Sequence, residues 1–400
     1  MPLSAACRAR TGDAQWAEIK GGLAAMASKP LRVAIIGAGM GGLACAAALR
    51  STGAQVTIYE QARSFARIGA GIQMTPNAVK ALRGLGLEEQ VRAVGFQATK
   101  GLNRASDDGR ITNEIELGAR IVEQCNAPLI TLHRGDLHSI LLSGVDDGVI
   151  QRGKRLGSYR QDADEVELSF EDGSSAQADL LVAADGVHSV VREQMFGAQA
   201  PRFTGRVAYR TTFPASLLGG LSIDERCKWW GPDRHIVIYY ITRNRDEVYF
   251  VTSTPEPDFD VESWSATGDL TSLREAYKDF HPTVRGVLEA CPQVHKWAVV
   301  VRDPLPRWHE GRVALLGDAC HPMTPYMAQG AASAIEDAVI LARCLERRED
   351  GLEAALQSYF ATRHPRASAI QQGSAANTWM RDKTDFNWVY GYDAWRAPLG

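Results

Sequence analysis

A glycine-rich segment early in the chain places the strongest constraint on its fold. Residues 37–42, GAGMGG, match the pattern G-x-G-x-x-G between the apolar run LRVAIIG and a small-residue run that favours a helix. In a βαβ unit such glycines allow a tight turn and let backbone N–H groups approach a pyrophosphate at the helix N-terminus. The next predicted strand, QVTIYE, ends in Glu60, whose carboxylate can accept hydrogen bonds from ribose hydroxyls. The opening therefore predicts a dinucleotide site formed by Gly37, Gly39, Gly42 and Glu60.

The composition is that of a globular chain and excludes several classes of protein. With 400 residues, 45% of them apolar, and a formal net charge of -3, the chain is long enough for one large or two medium domains. Long apolar runs and blocks of like charge are absent from the sequence, so we expect no membrane span, no nucleic-acid partner and a cytoplasmic location. The cysteines are scattered without a C-x-x-C pair, and His133 and His138 lack metal-site spacing, so no metal is predicted.

The order of predicted elements indicates an α/β fold with an inserted sheet. Apolar periodicity predicts helices near 76–85, 135–143, 329–345 and 352–375, and a hairpin at VELSFED and SAQAD that leads into a buried strand. The middle of the chain is rich in aromatic and β-branched residues between turn signals, which predicts a mainly antiparallel sheet. The predicted divisions are a loose N-terminal extension (1–29), nucleotide-binding parts (30–100, 135–202 and 304–400, the last with C-terminal helices) and substrate-domain parts (101–134 and 203–303).

Two further motifs make the chain resemble a known family. LVAADGVHSVVR contains Asp185 and Gly186, and LLGDACHP contains Gly317 and Asp318. With the glycine-rich motif, these resemble the flavoprotein aromatic hydroxylases related to salicylate hydroxylase and 4-hydroxybenzoate hydroxylase, over residues 31–395. The resemblance implies a Rossmann-like FAD-binding domain of the glutathione reductase and 4-hydroxybenzoate hydroxylase type. It also implies an inserted substrate domain with a mixed, mainly antiparallel β-sheet.

The same resemblance implies how the cofactors are held. Asp185 is expected to serve both FAD and the nicotinamide, and Asp318 to contact the pyrophosphate and ribityl groups of FAD. It also implies Arg134 and Pro322 beside the flavin. Position adds Arg63, just past Glu60, and Gly330 and Ala331, at a predicted helix start whose backbone N–H groups can face flavin oxygens. Because the sequence has one G-x-G-x-x-G motif, we expect NADH to dock transiently, with NADPH left open. A homodimer is a family-level expectation.

Within the family, the chain is most similar to the 6-hydroxynicotinate 3-monooxygenases, through motifs that include CKWW and MAQGA. This implies that O2 reacts through a flavin C4a-hydroperoxide at the ring carbon bearing the carboxylate, which turns 6-hydroxynicotinate into 2,5-dihydroxypyridine. It assigns pocket positions to Cys227, His235 and Tyr239. The spacing of His235 and Tyr239 places both side chains on one face of a strand, where they can reach the same ligand.

Two candidate catalytic positions depart from this pattern. Gln73 and Tyr326 stand where the family enzyme has histidines. Histidine can carry charge near neutral pH, whereas glutamine and tyrosine only form hydrogen bonds there. The resemblance implies a small aromatic or pyridine carboxylic acid as the partner, and the two departures leave its exact identity open. A salicylate or hydroxybenzoate hydroxylase is the alternative enzyme. A non-catalytic flavin-binding or aromatic-acid-binding protein is the alternative of another class.

Overall fold

The computed structural model describes residues 29–67, 70–259, 266–381 and 384–400. The predicted N-terminal extension, residues 1–29, lies outside these ranges except for its last residue. The described chain opens with strand β1 (Arg32–Ile36), helix α1 (Met40–Leu49) and strand β2 (Gln55–Glu60), and the two strands pair in parallel. This confirms the βαβ unit predicted from the glycine-rich motif.

The remaining elements follow in chain order. The other strands are β3 (Gly71–Met74), β4 (Lys100–Ala105), β5 (Ile111–Glu116), β6 (Ile130–His133), β7 (Ile150–Arg152), β8 (Leu156–Gln161), β9 (Val166–Phe170), β10 (Ser175–Ala178), β11 (Leu180–Ala183), β12 (Arg202–Pro214), β13 (Arg226–Trp230), β14 (His235–Tyr240), β15 (Glu247–Pro255), β16 (Ala266–Thr267), β17 (His295–Val301), β18 (His309–Glu310) and β19 (Val313–Leu315). The other α-helices are α2 (Pro76–Gly84), α3 (Glu88–Val94), α4 (Ala119–Cys125), α5 (Arg134–Ser143), α6 (Val190–Phe196), α7 (Leu270–Ala276), α8 (Pro282–Ala290), α9 (Gly330–Glu346), α10 (Leu352–Ala375) and α11 (Asn387–Tyr390). Helices α2, α5, α9 and α10 and the β9–β10 hairpin confirm the helices and the hairpin predicted from the sequence.

A six-stranded sheet, in the order β18-β19-β11-β1-β2-β7, contains the strands of the βαβ opening. All its neighbouring strands are parallel except β18 and β19. Parallel strands present their carboxyl ends at one edge, so the loops after β1, β11 and β19 meet there. These are the loops that carry the glycine-rich, Asp-Gly and Gly-Asp motifs.

An eight-stranded sheet, in the order β16-β17-β12-β15-β14-β13-β4-β5, forms the second half. All its strand pairs are antiparallel except β13 and β4, which confirms the mainly antiparallel sheet predicted from the aromatic and β-branched runs. Helices α7 and α8 cover one face through a cluster of buried residues that includes Leu273, Val284 and Val287. The opposite face is left to border a cavity next to the six-stranded sheet.

A buried ion network joins α9 to α10. Arg363 on α10 donates to Asp337 Oδ1 at 2.7 Å and to Glu336 Oε2 at 2.7 Å, and all three side chains are fully buried. Arg366 reaches the same Glu336 oxygen at 2.9 Å. The two arginines hold the pKa of Glu336 below its usual value against the opposing effect of burial. Because these charges are buried, removing one of them leaves its partner without compensation and costs folding free energy.

We predict that Arg363→Leu destabilises the protein by about 3–5 kcal/mol, because it leaves the Asp337 carboxylate buried without its cation. Urea unfolding of the variant and the parent protein measures this change. Arg396→Leu is the matched control, since the Arg396 side chain is 83% exposed beside Asp393, and its effect is expected within about 0.5 kcal/mol. Equal stability losses in the two variants would contradict the network's role.

Candidate active site

The glycine-rich loop is shaped by contacts that only glycine permits. Gly37 has φ of 98°, in the left-handed region, and a Cβ there would lie 2.5 Å from the carbonyl oxygen of Ala184. A Cβ at Gly42 would overlap the carbonyl oxygen of Gly37, whereas nothing lies within 4 Å of the Cβ position of Gly39. The helix that follows begins without a side-chain cap, so its first N–H groups are available to a phosphate.

Glu60 closes this loop from the neighbouring strand. Its Oε2 accepts from the backbone N–H of Ala38 at 2.7 Å, and its Oε1 accepts from the N–H of Ala62 at 2.7 Å. The carboxylate therefore fixes the loop after β1 and the turn after β2 together. Arg63, three residues further, is exposed and is not among the described residues that line the cavity.

The Asp-Gly and Gly-Asp loops are tied to each other by Arg192. Its guanidinium donates to the carbonyl of Ala319 at 3.1 Å and to the carbonyl of Val187 at 2.6 Å. In the first loop, Asp185 Oδ2 accepts from the Val191 N–H at 3.4 Å, while its Oδ1 is buried without a hydrogen-bond partner among the described residues. That orphaned oxygen is an acceptor available to a ligand.

Asp318 and the start of α9 face the cavity from the other loop. The Asp318 carboxylate is accessible from the cavity, yet desolvation by the enclosing protein raises its pKa. Helix α9 begins at Gly330 without a side-chain cap, because Gln329 is engaged with Thr75 and Asn77. The N–H groups at the start of α9 are therefore left for a ligand.

These features fit FAD. Two uncapped helix N-termini suit its pyrophosphate and ring carbonyls, and the orphaned Asp185 oxygen and the cavity-facing Asp318 carboxylate can accept from its hydroxyls or N–H groups. The open space at Gly39 leaves room for close approach to the backbone. FAD, when bound, supplies the redox chemistry that amino-acid side chains lack.

A cavity of 380 Å³ connects this cofactor region with the eight-stranded sheet. Among the sequence-predicted site residues, those that line it are Gly39, Gln73, Arg134, His235, Tyr239, Asp318, Tyr326, Gly330 and Ala331. Predicted cofactor and substrate positions thus converge on one space, although they come from distant parts of the chain. Their individual roles stay predictions.

His235 and Tyr326 form one side of the substrate half of the cavity. The ring of His235 lies 5.5 Å from that of Tyr326 and 4.9 Å from that of Trp230, measured between centroids. The Tyr326 hydroxyl lies 2.8 Å from Ser253 Oγ, which accepts from Arg206 Nε at 2.7 Å. Burial, with Lys228 and Arg206 nearby, holds the pKa of His235 well below 6.5, so its imidazole is neutral at pH 7.

Tyr239 and Gln73 form the other side of the substrate half of the cavity. Tyr239 is buried, and burial first, with Tyr249 second, raises its pKa well above 10, so its hydroxyl stays protonated. Gln73 Oε1 accepts from Arg226 Nε at 3.0 Å, and a hydrogen bond between Gln73 and the Tyr239 side chain opposes the rise in pKa. This side of the cavity therefore presents a phenol donor held by an amide and an arginine.

Two expected site residues lie elsewhere. Cys227 pairs with Ile238 across β13 and β14, and both side chains pack in the apolar cluster under α7 and α8, on the face away from the cavity. The expectation that Cys227 lines the substrate pocket is therefore wrong: the alternation that turns it away turns Arg226 toward the cavity. Pro322 is not among the described cavity-lining residues, and its carbonyl accepts from Gln371; Pro325 lines the cavity instead.

The sequence interpretation missed several polar residues of the cavity, and four of them carry an amide or a positive charge. These are Asn103, Arg210, Arg226 and Lys228. The available signal was the alternation in RCKWW, which places Arg226 and Lys228 on one face of the strand. Arg210 stacks on Trp297, with its guanidinium 4.1 Å from the ring centroid. The local sequence pattern does not predict this contact, because the two residues lie on different strands.

The motif loops and the enclosed cavity define a flavin-dependent oxygenase, and comparison of sequences agrees. The sequence model of the family described as FAD binding domain matches residues 30–374, so the chain belongs to that family. It is an FAD-dependent monooxygenase, as its related hydroxylases show. Reduced nicotinamide is the reductant typical of this class.

The relatives include a 6-hydroxynicotinate 3-monooxygenase and a 3-hydroxybenzoate 6-hydroxylase. The chain is 44% identical to a 6-hydroxynicotinate 3-monooxygenase of Bordetella bronchiseptica over 94% of this chain and 98% of the relative. It is 32% identical to a 3-hydroxybenzoate 6-hydroxylase of Klebsiella oxytoca, covering 86% and 87% of the two chains.

Solved structures show the same fold. Klebsiella pneumoniae HpxO complexed with FAD and uric acid superposes with a TM-score of 0.78 at 28% identity, covering 90% of each chain. A salicylate hydroxylase substrate complex superposes with a TM-score of 0.77 at 26% identity, covering 91% of this chain and 96% of that one. Across the described ranges, none of the helices combines the length and the apolar character that crossing a membrane requires.

We predict that Glu60→Gln raises the dissociation constant of FAD about tenfold, because an amide offers one acceptor where the carboxylate now receives two backbone N–H groups. Titration of apoprotein with FAD, followed by flavin fluorescence, measures the change. Glu89→Gln is the control, since that side chain is 90% exposed on α3. Unchanged FAD affinity in Glu60→Gln would contradict the role given to Glu60.

Proposed function

We propose that this protein hydroxylates a hydroxylated aromatic or pyridine carboxylic acid, with 6-hydroxynicotinate as the first candidate. The balanced reaction consumes 6-hydroxynicotinate (as the carboxylate anion), O2, NADH and two protons, and yields 2,5-dihydroxypyridine, CO2, NAD⁺ and water. The observation that carries the proposal is the single cavity that joins the three cofactor loops to His235 and Tyr239. The similarity to 6-hydroxynicotinate 3-monooxygenases over most of the chain supports this substrate class. A homodimer stays a prediction from the resemblance, and a cytoplasmic location stays a prediction from the composition. NADH is the expected reductant, with NADPH left open.

Different side chains of the cavity orient the substrate and form hydrogen bonds with its ring substituents. The Tyr239 hydroxyl donates a hydrogen bond to the oxygen substituent on the substrate ring, since its raised pKa keeps this hydroxyl protonated at neutral pH. The neutral His235 imidazole can accept a hydrogen bond from a ring hydroxyl, which raises the electron density of the ring for attack. The buried walls exclude water from the reacting groups.

Gln73 and Tyr326 favour a second candidate, a salicylate or hydroxybenzoate hydroxylase. The Tyr326 hydroxyl is hydrogen-bonded to Ser253, and the Gln73 amide oxygen accepts a hydrogen bond from Arg226. Neither residue can gain a positive charge near neutral pH, so neither offers the ionisable group that a histidine would bring to a pyridine ring. The 3-hydroxybenzoate 6-hydroxylase relative shows that such substrates occur among similar chains.

Steady-state NADH oxidation against a panel of acids tests the proposal. We expect 6-hydroxynicotinate, salicylate or a hydroxybenzoate to stimulate oxidation, with a hydroxylated product in the mass spectrum. A product that lacks the carboxylate identifies the first candidate, and turnover restricted to benzenoid acids identifies the second. NADH oxidation that no aromatic acid stimulates would contradict both and would favour a non-catalytic flavin-binding protein.

We predict that Tyr239→Phe lowers kcat about a hundredfold or more, because the substrate oxygen loses a buried hydrogen-bond donor during attack. Tyr240→Phe is the matched control, since the neighbouring residue projects to the opposite face of β14, where its ring meets Phe96. Product formation is the measurement, because peroxide release also consumes NADH. Equal kcat values for Tyr239→Phe and Tyr240→Phe would contradict the role given to Tyr239.

A further inference from the structure

Lys228 is a buried basic residue in the wall of the cavity. Its side chain is 6% exposed, and it shares one face of β13 with Arg226 and Trp230. Its Nζ lies 3.8 Å from the centroid of the Trp230 ring. Within the described ranges it forms no ion pair and no hydrogen bond, so the ammonium group is left for a ligand in the cavity.

The charges around Lys228 are positive. Burial first, and then Arg226 and Arg381, hold its pKa well below 10.5. The guanidinium of Arg381 lies over the same Trp230 ring, at 5.3 Å from the centroid. Of the described residues that line the cavity, Asp318 is the one acid, and it belongs to the cofactor loop. Because a buried charge without a partner is unfavourable, this end of the cavity is suited to an anion.

The sheet beside Lys228 presents an apolar surface on which an aromatic ring can lie flat. Lys228 pairs with Val237, and Val237 pairs with Val251, so the lysine and the two valines form one row across β13, β14 and β15. Neighbouring strands lie about 4.8 Å apart, which is close to the width of a six-membered ring. His235 and Tyr239 stand on the same face, two residues before and after Val237. A ring on Val237 therefore has the lysine at one edge and the two proposed catalytic side chains at the others.

We propose that Lys228 binds the carboxylate of the substrate and so fixes which ring positions face His235, Tyr239 and the flavin. This assignment rests on the proposed function and deepens it, because it makes a ring-borne carboxylate the group by which the enzyme selects its substrate. The ring then lies flat on the valines with its charged group over β13. Neutral analogues of the same shape, such as carboxamides, lack the charge that Lys228 requires and are rejected.

The test compares an acid with its amide in the FAD-loaded protein. Binding of 6-hydroxynicotinate and 6-hydroxynicotinamide, and of salicylate and salicylamide, is followed by the change in the flavin absorbance spectrum. In the parent protein we expect the acid of at least one pair to bind more tightly. Lys228→Met is expected to weaken binding of that acid about tenfold to hundredfold, and to change the affinity for its amide by less than about threefold.

Two further variants separate this role from a structural one. Lys296→Met is the matched control, because Lys296 lies on β17 of the same sheet, paired with Glu256 and outside the cavity, and it is expected to keep the acid preference. Lys228→Gln repeats the loss of charge with a polar side chain. Since both Lys228 variants remove an unpaired buried charge, neither is expected to lower the thermal midpoint without ligand.

The outcomes are distinguishable. If the parent protein binds neither acid and no aromatic acid stimulates NADH oxidation, the proposed function fails and the assignment of Lys228 fails with it. If the parent protein prefers the acid and Lys228→Met keeps that preference, the assignment alone is overturned. If Lys228→Met and Lys228→Gln both unfold or lose FAD, Lys228 is a structural residue, and the assignment is likewise overturned.

Discussion

The buried carboxylate of Asp337 is the contact on which the geometry of the active site depends. Its Oδ2 accepts from the Gly317 N–H at 3.1 Å and from His321 Nε2 at 2.6 Å, and its Oδ1 accepts from Arg363. One side chain of α9 therefore holds Gly317 and His321, in the first part of the loop after β19, and anchors α10. Since Asp318 lies inside that loop, the position of the cofactor-facing carboxylate follows from this contact. Arg192 extends the same rigid unit to the Asp-Gly loop.

The second constraint is the division of the eight-stranded sheet into two chemically different faces. One face packs under α7 and α8 and is apolar, with Cys227 and Ile238 in its core. The other presents Arg226, Lys228 and Arg210 to the cavity. Of the described residues that line the cavity, Asp318 is the one acid, and it belongs to the loop after β19 rather than to this sheet. Such an arrangement suits a neutral ring carrying an anionic group, which agrees with an aromatic acid as substrate.

Local pattern explains why much of the fold could be predicted from the sequence. The βαβ opening follows from a buried strand, a glycine turn and a small-residue helix that are contiguous in sequence, and the shared face of His235 and Tyr239 follows from strand alternation. Cys227 was misplaced because the family resemblance was given more weight than the alternation in RCKWW. The contact between Gln73 and Arg226 joins residues 153 positions apart, and the network of Asp337 with Arg363 depends on how two helices pack. No spacing rule in a single sequence reports such tertiary contacts.

We propose that this cavity places one atom of molecular oxygen on an aromatic acid. The decisive experiment is a single turnover of the FAD-loaded, NADH-reduced protein with the preferred acid under 18O2, with the product examined by mass spectrometry. We expect a product that contains one 18O atom in its new ring hydroxyl. A hydroxylated product whose new oxygen comes from water, or consumption of 18O2 that yields only peroxide with every acid, would contradict it.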